Sequence, residues 1–552
     1  MAAQVELTQD ERNAQKNYWL EHSSQPTVEA MMLDSKAAEI DQLERPEVLA
    51  TLGDVSGKRV LELGAGIGRF TGELAKQAKH VVACDFMEVS IAENRRQHEA
   101  LGNVSFMVAD VTELEQEAGS YDVVFSNWLL MYLSDAEVKA LAAKVLRWLA
   151  PGGVLFFRES CFRPSGDRPR KGNPTHYRNP RDYFAMFDGA ELVTGGGASS
   201  SHLELFCCKC VDTYVTVKRN QNQICWKFHK VETPRPRQPL HRTFLDTHQY
   251  SDASIALYEA VYGRGFVSPG GQQLSARLLD GLQLQPASRL LDVGCGIGGN
   301  AFLAADTYGC HVHGIDLSVN MILVAIERAA AAIASSRSSS SGGAAAAANG
   351  AANGTAANGS CAEANGSSSS SSAGVLSPRQ QQQMPHDVTF EVADVLTRDF
   401  DQGSFDVCVS RDALLHVQEK QALFSRLFRW LKPGGKLLIT DYCQPSAPGF
   451  SPSPGFASYI AKHRYSLLSL ECYSRQLAAA GFAEVQAEDC TAELISSLEA
   501  ELAGLQANKE KFTAKFSAAE YESVTSRWQE KLARAQAGEQ RWGKLTAVKP
   551  QQ

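Results

Sequence analysis

The stretch Leu290-Leu-Asp-Val-Gly-Cys-Gly-Ile-Gly-Gly299 decides the fold. Its apolar start reads as a buried parallel strand, which needs no alternation because both faces are covered. The run ends in Asp292 and then places glycine at 294, 296 and 298. Glycines there predict a tight turn out of the strand, since only they accept positive φ freely and let a ligand approach the backbone. The spacing is Asp-x-Gly-x-Gly-x-Gly. It differs from the Gly-x-Gly-x-x-Gly of dinucleotide binders, whose glycines serve a pyrophosphate at a helix N-terminus. A turn with no diphosphate to cradle suits a ligand that offers an amino acid and a nucleoside, which is what S-adenosylmethionine (SAM) is.

The chain writes this pattern twice. Val60-Leu-Glu-Leu-Gly-Ala-Gly-Ile-Gly-Arg69 repeats it, with Glu62 in the place of Asp292. Second strands ending in a carboxylate follow in both halves, Val81-Val-Ala-Cys-Asp85 and Val312-His-Gly-Ile-Asp316, where Asp85 and Asp316 would hold ribose hydroxyls. Val108-Ala-Asp-Val111 and Val392-Ala-Asp-Val395 place Asp110 and Asp394 to accept from an adenine amino group. Tyr121-Asp-Val-Val-Phe-Ser126 then matches Phe405-Asp-Val-Cys-Val-Ser410, and Arg147-Trp-Leu-Ala-Pro-Gly-Gly153 matches Arg429-Trp-Leu-Lys-Pro-Gly-Gly435. The same landmarks in the same order predict an α/β protein of two tandem, doubly wound, Rossmann-like SAM-dependent methyltransferase domains. Each is expected to carry a mainly parallel seven-stranded sheet.

At 552 residues the chain has room for two such domains. It is 44% hydrophobic and 21% charged, an ordinary globular composition. No apolar run reaches the length of a membrane span, and Met1-Ala-Ala-Gln-Val-Glu does not read as a signal peptide, so a cytoplasmic protein is expected. The net charge of −8 argues against nucleic acid as the main partner. The thirteen cysteines are scattered, and Cys207-Cys-Lys-Cys210 has no second Cys-x-x-Cys near it. They read as reduced thiols, with no metal site expected. The oligomeric state is left open, a monomer being compatible.

The first domain is read as residues 1–231, with a helical segment from Gln9 to Ser35 before the first strand and a closing strand at Gln223 to Val231. Residues 232–246, beginning Glu232-Thr-Pro-Arg-Pro-Arg-Gln-Pro239, form a proline-rich linker. The second domain is 247–552. It is interrupted at 335–383 by serine, alanine, glycine, asparagine and glutamine, too poor in large apolar residues to offset ordering entropy, so disorder is expected there. The C-terminal stretch from Glu493 reads as helical, and Arg541 to Lys549 as a last antiparallel strand. The tryptophans near the two domain ends, Trp226 and Trp542, are taken to correspond.

Methyl transfer is an in-line displacement, so positioning supplies much of the rate. An alkyl amine is protonated at pH 7 and must lose that proton before it attacks. Aromatic faces and a carboxylate are natural hosts for the methylated cation. Ser410-Arg-Asp-Ala-Leu-Leu-His416 puts Arg411, Asp412 and His416 at the carboxyl end of a strand, with Asp412 and His416 read as sharing a helical face. Gln249, Tyr250, Tyr258, Tyr442, Tyr459, Tyr465, His463, Arg464 and Lys531 add rings, hydroxyls and cations suited to an anionic group. In the first domain a basic loop, Arg158 to Lys171, lies at the sheet edge where ligands bind.

Tyr18-Trp-Leu-Glu-His-Ser23, Val28-Glu-Ala-Met-Met-Leu-Asp-Ser-Lys36, Phe125-Ser-Asn-Trp-Leu-Leu-Met-Tyr-Leu-Ser-Asp135, Asn173-Pro-Thr-His-Tyr-Arg178 and Gly263-Arg-Gly-Phe-Val-Ser268 closely resemble phosphoethanolamine N-methyltransferases of the plant and algal type. The likeness covers nearly the whole chain except the low-complexity insertion. It implies three successive methylations of phosphoethanolamine to phosphocholine, feeding phosphatidylcholine and choline synthesis. SAM would be the sole cofactor, with the first step in the N-terminal domain and the later two in the C-terminal one. By this resemblance Gly64, Arg69, Asp85, Asp110, Val111 and Asn127 would bind SAM in the first domain, and Ser160, Ser165, Gly166, Arg170 and Tyr177 the phosphobase. In the second, SAM would meet Val267, Ser268, Gly294, Asp316, Asp394, Val395 and Arg411. The phosphobase there would meet Gln249, Tyr250, Tyr258, Tyr442, Tyr459, Tyr465 and Lys531. Tyr250 and His416 look like the family's catalytic pair, with Asp412 near the amine.

Two departures stand out. The family's arginine in Tyr-x-x-x-Arg-x-Tyr falls here on His463, with Arg464 one place later, so both are candidates for the phosphate. Aligning Ser126 with Ser410 puts Trp128 where Asp412 stands and Tyr132 where His416 stands, so the first domain must handle its proton differently. The alternatives are another small-molecule SAM methyltransferase, of sterol or tocopherol type, and a SAM-binding protein with one silent domain.

Overall fold

The computed structural model describes residues 9–22, 27–167, 172, 174–194, 199–234, 241–348, 388–447 and 449–551. The strands of the first half are β1 (Arg59–Leu63), β2 (His80–Asp85), β3 (Val104–Val108), β4 (Tyr121–Asn127), β5 (Leu149–Ser160), β6 (Glu191–Thr194), β7 (Ser199–Cys210) and β8 (Gln223–Pro234). They lie in the order β3-β2-β1-β4-β5-β8-β7, with β6 on the outer side of β7. The first five are parallel, while β8, β7 and β6 run antiparallel to their neighbours. The second half repeats the plan with β9 (Arg289–Val293), β10 (His311–Asp316), β11 (Val388–Val392), β12 (Phe405–Arg411), β13 (Leu431–Cys443), β14 (Ala483–Asp489) and β15 (Arg541–Val548), ordered β11-β10-β9-β12-β13-β15-β14. In each half strand order reverses beside the glycine corner, between β1 and β4 and between β9 and β12. That crevice is where open α/β sheets take ligands.

The corners have the backbone that the glycines foretold. Gly294 has φ +73°, and a Cβ there would lie 2.1 Å from the Cβ of Ala413, so no other residue fits. Its counterpart Gly64 has φ +68°, and a Cβ there would lie 3.2 Å from the Cβ of Leu129.

The expectation of two separate seven-stranded sheets is corrected. The halves share one 15-stranded sheet, and the first contributes eight strands. The join is β7 against β11, antiparallel, with Lys209 opposite Glu391 and Cys208 opposite Val392. An apolar cluster runs across it, from Leu203, Leu205 and Cys208 to Val312, Val388 and Phe390. Gln221 donates its side-chain amide to the Val388 carbonyl (2.7 Å), and Arg181 pairs with Asp252 (2.8 Å) and Glu327 (3.0 Å). Burial reduces the cost of an exposed strand edge on both halves at once.

Three further expectations change. The strand before the linker continues to Pro234 and a helix begins at His241, with 235–240 outside the described residues. Residues 335–348, expected to be disordered, continue the helix Val319–Ala348; the rest of that insertion lies outside the described residues. Trp226 and Trp542 do not correspond. Trp226 pairs with Phe157, whereas Trp542 pairs with Tyr442, the counterpart of Ser160, so Gln223 occupies the place of Trp542.

Candidate active sites

In both halves the acidic residue ending the second strand is pinned by backbone. Gly66 N–H donates to Asp85 Oδ2 (2.9 Å) and Met87 N–H to Oδ1 (2.8 Å). Gly296 N–H and Ser318 N–H do the same for Asp316 (2.9 and 2.8 Å). Burial raises both carboxyls, Asp316 to about 6, with these backbone bonds pulling the other way. Deeper still, burial lifts Glu62 to about 8 and Asp292 to about 7, so these two strand-end acids are protonated for much of the neutral range.

The second cavity, about 850 Å³, brings together every residue expected of it: Val267, Ser268, Gly294, Asp316, Asp394, Val395, Arg411, Asp412, His416, Gln249, Tyr250, Tyr258, Tyr442, Tyr459, His463, Arg464, Tyr465 and Lys531. Asp412 and His416 do not share an α-helical face. Asp412 is left-handed (φ +53°) and precedes a single 3₁₀ turn, Leu414–His416. One carboxylate oxygen of Asp412 accepts from Trp542 Nε1 (2.7 Å) and Thr440 Oγ1 (3.1 Å), while Oδ2 is buried with no partner. A buried carboxylate oxygen without a partner is costly, and a hydrogen-bond donor bound there would satisfy it.

Tyr250 reaches His416 from a π-helical turn, Leu245–Gln249, of the segment that closes over the cavity. The tyrosine hydroxyl lies 3.2 Å from His416 Nε2. Burial, helped by His241, His463 and Lys420, brings His416 down to about 3, so its ring is neutral at physiological pH. Lys531 donates to the Tyr442 hydroxyl, and burial brings it down to about 8.

Sequence reasoning missed two cations. Arg527 and Arg534 line the cavity with Lys531 on the helix Ala518–Gln536, and the Arg534 guanidinium lies 3.9 Å from the centre of the Tyr459 ring. The spacing 527, 531, 534 is one helical stripe and was available as a signal. His463 sits among Tyr459 and Tyr465, whereas Arg464 lies beyond the end of its helix at φ +56°, stacked on Phe244 at 4.2 Å. Arg411 spends its guanidinium on the carbonyls of Pro269 and Gly271, so it holds the turn that follows Val267 and Ser268.

The first cavity is smaller, about 100 Å³, and is lined by Gly64, Arg69, Asp85, Asn127, Ser160, Ser165 and Gly166 as expected, with Trp19, Met31, Trp128 and Tyr132. Asp110 and Val111 line an adjoining recess with Asp85. Arg170 lies outside the described residues. Tyr177 does not line the cavity, contrary to expectation: its loop buries the neighbouring Arg178, which donates to the carbonyls of Leu130 and Leu133. Arg69 pairs with Asp41 and Glu44 while its Nη1 is buried without a partner, and Asn127 Oδ1 is likewise buried and unpartnered. A carboxylate and an ammonium, the two charges of a methionyl group, satisfy that pair of atoms, so the residues fit SAM.

Residues 60–153 and 266–487 each match a family model described as a methyltransferase domain. Phosphoethanolamine N-methyltransferase of Triticum aestivum is 47% identical over 98% of this chain and 96% of its own length. The chain belongs to the phosphoethanolamine N-methyltransferases. Phosphoethanolamine N-methyltransferase 1 of Arabidopsis thaliana is 44% identical over 100% of both chains. Among solved structures, phosphoethanolamine N-methyltransferase 2 of Haemonchus contortus, in complex with phosphomonomethylethanolamine and S-adenosylhomocysteine, superposes with a TM-score of 0.67 at 25% identity. That match covers 92% of this chain and 99% of the other. As a member of the phosphoethanolamine N-methyltransferases the chain is a SAM-dependent methyltransferase with two tandem domains.

Proposed function

We propose that this chain converts phosphoethanolamine to phosphocholine by three methylations, the first in the first half and the later two in the second. The observation that carries it is the second cavity, where Asp412 lines the same space as the Arg527, Lys531 and Arg534 stripe. A carboxylate at one place and cations at another match a substrate with an ammonium at one end and a phosphate at the other. The H. contortus relative was solved with such a molecule.

SAM, when bound, supplies an electrophilic methyl. Asp85 and Asp316 are suited to its ribose hydroxyls, and Asp110 and Asp394 to its adenine. The phosphate would be gripped by Lys531 with Tyr442, Tyr258, Tyr459 and Tyr465, and in the first half by Ser160, Ser165 and Gly166. Asp412 orients the amine through Oδ2. The proton leaves toward Tyr250 and the neutral His416, which frees the nitrogen lone pair. A nitrogen–carbon bond then forms as the methyl's bond to sulfur breaks. No helix among the described residues is long and apolar enough to cross a membrane, which is consistent with a cytoplasmic enzyme.

Incubation with labelled SAM and each of the three phosphobases tests this reading. The intact chain is expected to label all three and accumulate phosphocholine. His416→Ala is expected to stop the second and third transfers and spare the first. Normal turnover of the monomethyl substrate by that variant would remove His416 from the mechanism.

A further inference from the structure

The two halves use the same pair of side-chain roles in exchanged places. In the second half Trp542, on β15, donates its indole N–H to Asp412 Oδ1 (2.7 Å). In the first half the residue matching Asp412 is Trp128, and it donates its indole N–H to Gln223 Oε1 (2.7 Å). Strand register proves the match. Asn127 lies opposite Arg158 and Ser160 opposite Gln223, as Arg411 lies opposite Thr440 and Tyr442 opposite Trp542. The backbone agrees: Trp128 has φ +56° and Asp412 +53°, and their N–H groups donate to the carbonyls of Arg158 (2.9 Å) and Thr440 (2.8 Å). A left-handed non-glycine residue costs about 1–3 kcal/mol and persists where its surroundings fix it.

Trp128 cannot swing aside. The Arg158 guanidinium lies 3.9 Å from its ring centre, and Arg158 is held in turn by Glu44. Gln223, which anchors the indole edge, also accepts from Arg158 Nη1 (2.7 Å) and donates to Ser165 Oγ (2.8 Å). An indole therefore fills the first cavity at the position where the second presents a carboxylate. The large ring has moved from the back wall to the side facing the substrate.

We propose that Trp128 is the specificity-determining residue that confines the first site to the unmethylated amine; this rests on the allocation of steps proposed above. Two consequences of the exchange act in the same direction. The indole, which lines the first cavity, occupies room that N-methyl groups need at the place where the second cavity has Asp412. The first site also lacks the carboxylate there that would host a product unable to shed its charge: a quaternary nitrogen has no proton to lose. A primary amine is the slimmest of the three acceptors; the indole bears on every N-methylated acceptor, the missing carboxylate on the quaternary product of the third transfer alone.

The test uses the full chain carrying His416→Ala, so that turnover reports the first site. The quantity read is kcat/KM for phosphomonomethylethanolamine relative to phosphoethanolamine, with SAM affinity measured calorimetrically as a check on folding. Exchanging the pair, Trp128→Asp with Gln223→Trp, is expected to raise that ratio by about 10–200-fold, the range one methyl group commands in a pocket. Trp128→Phe keeps a ring over Arg158 and is expected to raise it in the same direction, and it decides the matter alone if the double variant does not fold. An unchanged ratio in a variant that binds SAM like its parent overturns the proposal. Should the parent itself convert the monomethyl substrate at the unsubstituted chain's rate, the allocation of steps falls, a result separate from the comparison between variants.

Discussion

Lys531 is half-buried against Tyr442, and desolvation outweighs the opposing pull of Glu501 and Asp412 to leave its ammonium near 8. A lysine with a depressed value is charged below it and neutral above it, so phosphate binding that needs the cation weakens as pH rises through about 8. Phosphocholine has no titrating amine and isolates this effect. Its dissociation constant, measured calorimetrically from pH 7 to 9.5, is expected to rise above pH 8 with a limiting slope of roughly tenfold per unit. Lys531→Arg should flatten that slope, because a guanidinium stays charged. A flat profile in the unsubstituted chain would place the phosphate elsewhere. His416, near 3, contributes nothing to the slope over this range.

Among elements, the helix Ala37–Leu52 does more than cover the sheet. Its Asp41 and Glu44 are buried and hold Arg69 and Arg158, and the latter supports Trp128. Removing one member leaves charges buried without partners, which costs about 3–5 kcal/mol. Glu44→Gln is therefore expected to destabilise the first half by that amount in urea unfolding; a loss under about 1 kcal/mol would show that water reaches the cluster. None of this was legible in the sequence, since Arg69 and Arg158 lie far along the chain from Asp41 and Glu44 and meet them only through packing. The glycine corners and the acids ending β2 and β10 were legible because the turn chemistry is local. Trp226 was matched to Trp542 because both are tryptophans near a domain's end, and only strand register shows that Gln223 holds that place. The stripe of Arg527, Lys531 and Arg534 was legible in principle, but Lys531 alone was singled out.

At the scale of the molecule, the join between β7 and β11 makes one sheet of two similar halves. Edge pairing depends on where long connections let strands meet, so no local pattern announces it. Glu391 anchors the join: it accepts from Cys207 Sγ (3.4 Å) and pairs with Arg398 (2.7 Å) and His313 (3.2 Å). Burial opposes ionisation, but His313 and Arg398 win and hold its carboxyl near 2. A depressed carboxyl stabilises the fold above its unfolded value and loses that contribution as pH falls from about 4.5 toward 2. Hydrogen exchange on the intact chain at neutral pH is expected to show the amides of residues 388–392 protected like those of the central strands β1 and β9. Exchange there as fast as at an open edge would mean that the halves merely touch.

The shared sheet also bears on how the polypeptide emerges from the ribosome. β6 covers only the Ser199–His202 part of β7's outer edge, and β11 meets the stretch around Cys208 and Lys209. Roughly 180 residues separate the two partners, so at about 5–20 residues per second the nascent first half waits roughly ten seconds or longer with a bare strand end. That interval is an opportunity for a neighbouring polysome's copy to dock in its place.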